Sequence, residues 1–296
     1  MKKLLTKLTN LLFAIALSTN LMAADQVISN NNNNSGAGSL RQAIIDGGAE
    51  EEITFNADYT ITLLSELVIN KNMTITGTGT GTTIIQANAN PNTATYRVFN
   101  ITSVTVEISN MTIRNGKVSG SHGGGIYNAG ILTLSHCTIS SNRSYSVEDE
   151  WTMEYIEGKG AGIFNAGTLS SNISAGEMEA DGGAIYNDGN KTLTITNSTI
   201  NGNSAHSGGA IYDYGTATIT NCTISGNNAT GGYAAVENLF CNMTISNSTI
   251  CDNTGLDYYN GGGVFNWSGG ITVKNNIIAN NTPNDFYNGI GAEVNL

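Results

Sequence analysis

The sequence predicts an all-β fold: a single-stranded, right-handed parallel β-helix of roughly nine turns with an N-terminal capping helix. The first observation behind this prediction is an internal repeat of about 25 residues. The second is composition, because 41 asparagines, 35 threonines and 36 glycines occur beside only two prolines. The third is the alternation of isoleucine and threonine within each repeat, which is typical of short strands with one buried face.

Each repeat has two halves. The first half reads like Gly-Gly-Ala-Ile-Tyr-Asn and ends at Asn128, Asn165, Asn187, Asp213, Asn238 and Asn266. The second reads like Leu-Thr-Ile-Thr-Asn-Ser-Thr-Ile and closes at Ile113, Ile139, Ile200, Ile224, Ile250 and Ile278. A unit this short has no core of its own, so it can bury its isoleucines only by coiling and stacking on neighbours about 4.8 Å away. A propeller blade needs about 40 to 50 residues, and the nonapeptide of a calcium-binding roll does not occur.

Stacking the repeats aligns asparagines in two columns. The first column holds Asn110, Asn197, Asn221, Asn247 and Asn275, with His136 as a substitute. The second holds Asn142, Asn203, Asn227, Asn253 and Asn281. Asparagine tolerates the left-handed backbone of sharp turns, and its amide can hydrogen-bond along a stack. The abundance of asparagine is therefore interpreted as structural.

The N-terminal region divides into a targeting segment and a cap. Residues 1–24 combine early lysines, a short apolar run and small residues at Ala23 and Ala24, which predicts a secretory signal peptide and an exported protein. Residues 25–46 are predicted to be a linker and cap, and 47–296 the β-helix. Ser39 and Gln42 match a capping box, and Leu40, Ala43 and Ile44 share one helical face, which predicts a helix over 39–46.

Several segments together resemble exported bacterial right-handed β-helix proteins, in particular polymorphic-outer-membrane-protein-like adhesins. The resemblance rests on 38–44, 97–99, 108–113 and the repeated Gly-Gly-Ala-Ile units, and it covers about residues 38–296. It implies an adhesin-like protein at the cell surface, in the outer membrane or outside the cell. The second motif here is Ile-x-x-Asn where those adhesins have Phe-x-x-Asn, and their C-terminal autotransporter barrel has no counterpart in this sequence.

Composition and motif searches argue against several classes of site. Twelve basic residues face 23 acidic ones, so no basic patch for nucleic acid is expected. No segment after the leader is apolar enough for a transmembrane helix. Zinc spacing is absent, His122 and His206 lie in turns several repeats apart, and no metal or cofactor is predicted. The cysteines, Cys137, Cys222, Cys241 and Cys251, fall where ladder geometry offers no bridge, so they are predicted to be unpaired.

Aromatic residues form a further column, called here the aromatic row: Tyr127, Phe164, Tyr186, Tyr212 and Phe265. Each follows the inward isoleucine of its strand, so each should face outward, and Glu237 interrupts the row. Two interpretations stay open. Stacked rings can stabilise the sheet, or the row can be a flat face that binds sugar or protein.

The predicted ligand-contact region is an insertion at 143–159 together with a neighbouring turn at 176–181. Its candidate residues are Tyr145, Glu148, Asp149, Glu150, Trp151, Glu154, Tyr155, Glu157, Glu177, Glu179 and Asp181. Insertions in solenoids commonly fall on the binding face, and Trp and Tyr dominate binding hot spots. The acidic side chains favour a basic partner or a cation. The alternative is an acidic excursion that only aids solubility.

The function predicted from these observations is an exported binding scaffold, adhesin-like and without catalytic residues, whose partner is a cell-surface protein or glycan. One alternative is a polysaccharide lyase or glycoside hydrolase, because many such enzymes use the pectin lyase-like β-helix and the insertion contains enough carboxylates for a pair. Another is a structural envelope protein. The last turn is predicted to be partly open, so that the chain either is a shortened family member or self-associates through that edge.

Overall fold

The chain winds into a right-handed parallel β-helix of about nine turns, which confirms the predicted fold class. The computed structural model describes residues 25–32, 35–148, 155–156, 158–176, 179–180, 183–256, 261–289 and 293–295. The predicted signal peptide lies outside these residues. Three parallel sheets run along the coil, and each turn of the coil contributes strands to them.

Sheet 1 is the largest sheet and contains two strands from most turns, separated by a sharp bend. In the described residues its strands are Gln26–Ile28, Glu51–Phe55, Thr60–Thr62, Met73–Thr76, Ile84–Gln86, Thr105–Ser109, Thr112–Arg114, Ile131–Ser140, Thr168–Gly176, Thr192–Thr196, Thr199–Asn201, Thr216–Thr220, Thr223–Ser225, Met243–Ser246, Thr249–Cys251, Gly270–Lys274, Ile277–Ala279 and Glu293–Asn295.

Sheets 2 and 3 complete the coil. The described strands of sheet 2 are Leu67–Ile69, Phe99–Ile101, Ile126–Asn128, Ile163–Asn165, Ile185–Asn187, Ile211–Asp213, Val236–Leu239, Val264–Ser268 and Phe286–Asn288. Those of sheet 3 are Lys117–Ser119, Arg143–Tyr145, Glu179–Ala180, Ser204–Ala205 and Asn228–Ala229. Isolated bridges through Thr254 and Thr282 extend the line of sheet 3.

The core is a stack of like residues in register. Ile195 pairs with Ile219, which pairs with Ile245 on the next turn, and all three are fully buried. The threonines between them point to the other face and stay partly exposed. Alternation along a strand sends every second side chain inward, so one repeated pattern fills the interior of the whole coil.

The N-terminal helix Leu40–Asp46 closes the first turn. Leu40, Ala43 and Ile44 are buried in the core, as predicted. Ser39 caps the helix, since its Oγ accepts a hydrogen bond from the Gln42 amide at 3.2 Å. The reciprocal half of the predicted capping box is wrong, because the Gln42 side chain donates to Asp46 instead. The strand Gln26–Ile28, in the segment expected to be a linker, pairs with Glu51–Phe55.

The two predicted asparagine columns occupy different environments. In the first column Asn110, His136, Asn197, Asn221, Asn247 and Asn275 all adopt left-handed φ angles between 49° and 56° at the bend of sheet 1. This confirms His136 as a substitute for asparagine. In the second column the side chains are buried, and Asn203, Asn227 and Asn253 each donate to the amide oxygen of the next turn at 2.8, 3.0 and 2.8 Å.

Candidate functional surface

A third column of amides, which the repeat analysis did not recognise as a ladder, lies on the inner side of sheet 2. It is called here the amide ladder and comprises Asn128, Asn165, Asn187, Asp213, Asn238, Asn266 and Asn288. Asn128 donates to Asn165 and Asn165 to Asn187, at 2.8 and 2.7 Å. The signal was present in the sequence, because each first half-repeat ends at these positions.

The aromatic row lies on the opposite side of the same strands. Tyr127, Phe164, Tyr186 and Tyr212 stack with ring centroids 5.5, 5.2 and 5.0 Å apart and nearly parallel planes. Phe265 continues the row beyond Glu237 and stacks on Tyr287 at 5.0 Å. Pairs of this kind stabilise a sheet by about 0.5 to 1.5 kcal/mol each.

The row does not form the open outward face that the sequence suggested. Phe164, Tyr186 and Phe265 are only 5, 4 and 1 % exposed, because the segment that precedes the strand of one turn covers the ring of the next turn. His122 stacks on Phe164 with centroids 4.4 Å apart, and Tyr233 stacks on Phe265 at 4.2 Å. The alternation of the strand predicted the direction of the rings correctly, but it carries no information about this cover.

Charged groups take part in the same cover. Arg97 lies 5.3 Å from the Tyr127 ring centroid, and the Lys159 ammonium lies 5.0 Å from that of Tyr186. Glu237 is buried in the gap between Tyr212 and Phe265, and its carboxylate accepts a hydrogen bond from the Gly208 amide at 3.0 Å. The central part of the row is therefore occupied by the protein's own side chains.

The insertion is shorter than the predicted 143–159, because Arg143–Tyr145 is a strand of sheet 3, and its two described strands lie side by side outside the coil. Val147–Glu148 pairs antiparallel with Tyr155–Ile156, whereas the other strand pairs in the described residues are parallel. The Gly158 amide donates to Ser146 Oγ at 3.0 Å, so the two ends of the excursion are hydrogen-bonded. Tyr145 sits at its base with Lys117 and Arg143 over its ring, at 5.4 and 5.5 Å from the centroid.

The predicted ligand residues of this region are divided between described strands and residues outside the described ones. Asp149, Glu150, Trp151, Glu154, Glu157, Glu177 and Asp181 lie outside the described residues. Glu148, Tyr155 and Glu179 are described as strand backbone, and Glu179 pairs with Arg143 of the neighbouring turn. The structure thus brings the base of the insertion and the turn containing Glu179 side by side.

The turns that connect sheet 2 to sheet 1 are called here the outer turn row. A groove lies along these turns. It has a volume of about 480 Å³. Its floor is built by small residues, with Ala129–Gly130 in one turn and Ala166–Gly167 in the next, and its flanks include Val104 and Lys191. Equivalent positions on successive turns lie about 4.8 Å apart, so the groove runs parallel to the axis of the coil.

The outer turn row continues from the groove into Tyr214 and Phe240, and Trp267 lies next to it at the end of the sheet 2 strand Val264–Ser268, where its ring centroid is 5.9 Å from that of Phe265. The sequence analysis missed these three exposed aromatic side chains. Tyr214, Phe240 and Trp267 come from three successive turns and are 40, 56 and 43 % exposed. Tyr214 and Phe240 meet edge to face with centroids 5.9 Å apart. Phe240 adopts φ +63°, a strained conformation for a bulky residue. This group is called here the aromatic patch.

The four cysteines are unpaired, as predicted. Cys137 and Cys222 are buried and fill small inward positions next to the bend of sheet 1. Burial raises the pKa of the Cys137 thiol to about 11, against weaker opposing hydrogen bonds from the backbone. A thiol in this state is a packing group and not a nucleophile.

Within the described part of the chain, no cluster of three or more His, Cys, Asp or Glu side chains is placed to hold a metal ion. The same residues include no helix whose length and apolar character would let it cross a bilayer.

Comparison with known proteins supports the fold. A family model described as a right handed beta helix region matches residues 182–295, the stretch with the most regular repeats. No curated protein and no solved structure matches the chain. The fold and its ladders therefore define the class, a right-handed parallel β-helix solenoid.

Proposed function

We propose that this chain is an exported, adhesin-like β-helix scaffold that binds a neutral glycan chain along the outer turn row and carries no catalytic site. The observation that carries the proposal is that the groove and the aromatic patch follow one another on successive turns of the same row. An elongated ligand matches a surface whose features repeat along one axis. Export is supported by the leader-like composition of residues 1–24.

The chemistry of the row favours a neutral sugar over other partners. Exposed aromatic rings can stack against the apolar C–H faces of sugar rings, and exposed patches of this kind mark binding sites on monomeric proteins. Backbone amides and the side chains of Asn190 and Thr105 supply polar groups near the groove. A net charge of −11 disfavours long-range attraction of acidic polysaccharides.

The strained backbone at Phe240 supports the same assignment. Asn238 and Asn266 belong to the amide ladder, and after Asn238 a register shift brings Leu239 opposite Ser268. Two residues further on, Phe240 points outward at a positive φ, a backbone conformation that asparagine or glycine adopts with less strain. A costly conformation that exposes an aromatic ring is a signature of functional sites.

Binding to arrayed neutral and acidic glycans tests the proposal, with two variants of the patch. Phe240→Asn relieves the backbone and removes the ring, and Trp267→Ala removes a second ring. Each variant should lower affinity for a bound neutral glycan by about 10-fold or more, since a hot-spot aromatic contributes about 2 kcal/mol, and Phe240→Asn should not lower the melting temperature.

The matched control is Ile277→Thr, which removes another exposed apolar side chain, 62 % exposed, at a position where the two preceding turns have Thr249 and Thr223. It should leave binding unchanged. Failure of the wild type to bind any neutral glycan, or release of new reducing or unsaturated ends from a polysaccharide with turnover, would contradict the binding-scaffold function.

A further inference from the structure

The amide ladder contains one carboxylate, Asp213, and the chain of hydrogen bonds stops there. Asn187 donates to Asp213 Oδ1 at 2.7 Å, and the Gly215 amide donates to the same oxygen at 3.1 Å. Above the gap, the Asn238 amide nitrogen donates to Asn266 Oδ1 at 2.7 Å and to the Cys241 carbonyl at 3.0 Å. No hydrogen bond joins Asp213 to Asn238, the residue paired with it on the next turn.

One buried acceptor is left without a partner on each side of this break in the amide ladder, between Asp213 and Asn238. Asp213 Oδ2 and Asn238 Oδ1 both lack a hydrogen-bond partner, and both residues are fully buried. Asp213 Oδ2 occupies the position from which an asparagine would donate to the next turn. Two unpaired buried oxygens on neighbouring strands are costly, and one proton between them would satisfy both.

No ion pair neutralises the carboxylate within the described residues. The titratable groups on the neighbouring elements are Asp188 and Lys191 on the turn below, Tyr214 beside Asp213, and Glu237 and Cys241 on the turn above. None of these forms an ion pair with Asp213 in the described structure. Glu237 shares a register with Tyr212 and so lies on the other face of sheet 2.

We propose that Asp213 and Asn238 form a proton-binding site, in which a proton taken from solvent onto Asp213 Oδ2 is donated to Asn238 Oδ1 and completes the amide ladder. Protonation turns the carboxylate into a neutral carboxyl group, so the ladder becomes continuous from Asn128 to Asn288. The ligand of this site is the hydrogen ion itself, and the proposal does not rest on the proposed glycan surface, although Tyr214 follows Asp213 directly.

The electrostatic environment of Asp213 agrees with this geometry. Burial raises the pKa of Asp213 to about 7, and the hydrogen bonds from Asn187 and Gly215 act in the opposite direction. A carboxyl group whose pKa is higher in the folded chain binds its proton more tightly there than in the unfolded chain. Its stabilising contribution is therefore complete below the unfolded value near 4 and is lost as the pH rises through about 7.

The decisive experiment compares unfolding of the wild type and Asp213→Asn across pH 4 to 9. Asparagine supplies the missing donor at every pH, as it does on the other turns. The ratio of the two unfolding equilibrium constants should change by up to about 1000-fold between pH 4 and pH 8, with the wild type the less stable at high pH. An NMR titration of the Asp213 carboxyl carbon should show a midpoint near 7.

Two further variants serve as controls. Asp252→Asn alters an exposed aspartate and should leave the pH dependence intact, while Asn165→Asp should introduce a second acid-stabilised step. Parallel pH profiles for the wild type and Asp213→Asn would overturn the proposal. So would a melting temperature of the wild type at pH 8 that rises with added Ca²⁺ and does not rise in Asp213→Asn, because the gap would then hold a cation.

Discussion

At the scale of single residues, asparagine occurs in two environments that make different demands on its side chain. At the bend of sheet 1 the backbone is left-handed and the asparagine side chains are exposed. The Asn221 amide nitrogen lies 3.4 Å from Asn197 Oδ1 on the neighbouring turn. Inside the second column, Asn227 is fully buried. Its amide nitrogen donates to Asn253 Oδ1 and the Ile200 carbonyl, and its oxygen accepts from Asn203.

This contrast predicts different outcomes for two substitutions within the same turn of the coil, at Asn227 and Asn221. Asn227→Ala leaves buried partners unsatisfied and should lower the free energy of unfolding by about 2 to 4 kcal/mol. Asn221→Gly keeps the left-handed backbone and should change it by less than about 0.5 kcal/mol. Urea denaturation followed by circular dichroism measures both, and equal losses would contradict the assignment of the two columns.

Residues that repeat were predictable from sequence, and residues that break the repeat were not. The inward isoleucines, the left-handed asparagines and His136 follow from period and alternation alone. The cover over the aromatic row does not, because His122 and Tyr233 reach the rings from turns that differ in length and composition. The repeat shows that Asp213 takes the place of an asparagine, but it does not show that an oxygen of Asp213 and one of Asn238 are left unpaired beside each other. The exposed, strained position of Phe240 was not predicted, because composition carries no information about a backbone φ angle.

At the scale of elements, the insertion is a self-contained addition to the coil. Its ends are hydrogen-bonded through Ser146 and Gly158, and Gly158 packs against the backbone of Tyr145. The strands on either side, Arg143–Tyr145 and Ile163–Asn165, already pair with neighbouring turns. The two described strands of the insertion, Val147–Glu148 and Tyr155–Ile156, therefore form a sheet of their own and are not part of the three sheets of the coil.

Deleting residues 147–157 and joining Ser146 to Gly158 through a two-glycine linker should preserve the coil. We expect the β-rich circular dichroism spectrum to be unchanged and the melting temperature to shift by less than about 4 °C, as for a loss below about 1 kcal/mol. The deletion also tests whether the insertion contributes to ligand contact. Binding that is lost in the deletion but retained in Phe240→Asn would place the contact at the insertion, as first predicted, and exclude the aromatic patch.

At the scale of the whole molecule, burial of the inward residues is uneven along the coil. Ile200, Ile224 and Ile250 are fully buried on three successive turns, whereas Ile278 on the next is only half-buried. Phe286 and Val273 are half-buried as well. The expectation that this turn mediates self-association stays a prediction, which its partial burial makes reasonable.

Hydrogen exchange at two protein concentrations tests the predicted self-association. At low concentration the amides of Ile277–Ala279 should exchange faster than those of Thr223–Ser225, because local opening costs less where fewer apolar groups are buried. At high concentration their protection should rise if two copies pair through this region. Protection equal to that of the central turns at every concentration would contradict the prediction.

The ladders also have a genetic consequence. In the second asparagine column Asn203 donates to Asn227 in the same way that Asn227 donates to Asn253, and Asn203 and Asn227 are separated by 24 residues. Duplication of one whole unit places like residues next to like residues at the new junctions. Small differences in unit length are taken up between the strands, since Asp213 follows Asn187 by 26 residues and Asn238 follows Asp213 by 25, and all three stay in register and buried. Copy number can thus change by recombination between repeats without loss of fold, so that the length of the rod is heritable variation separate from the chemistry displayed on its surface.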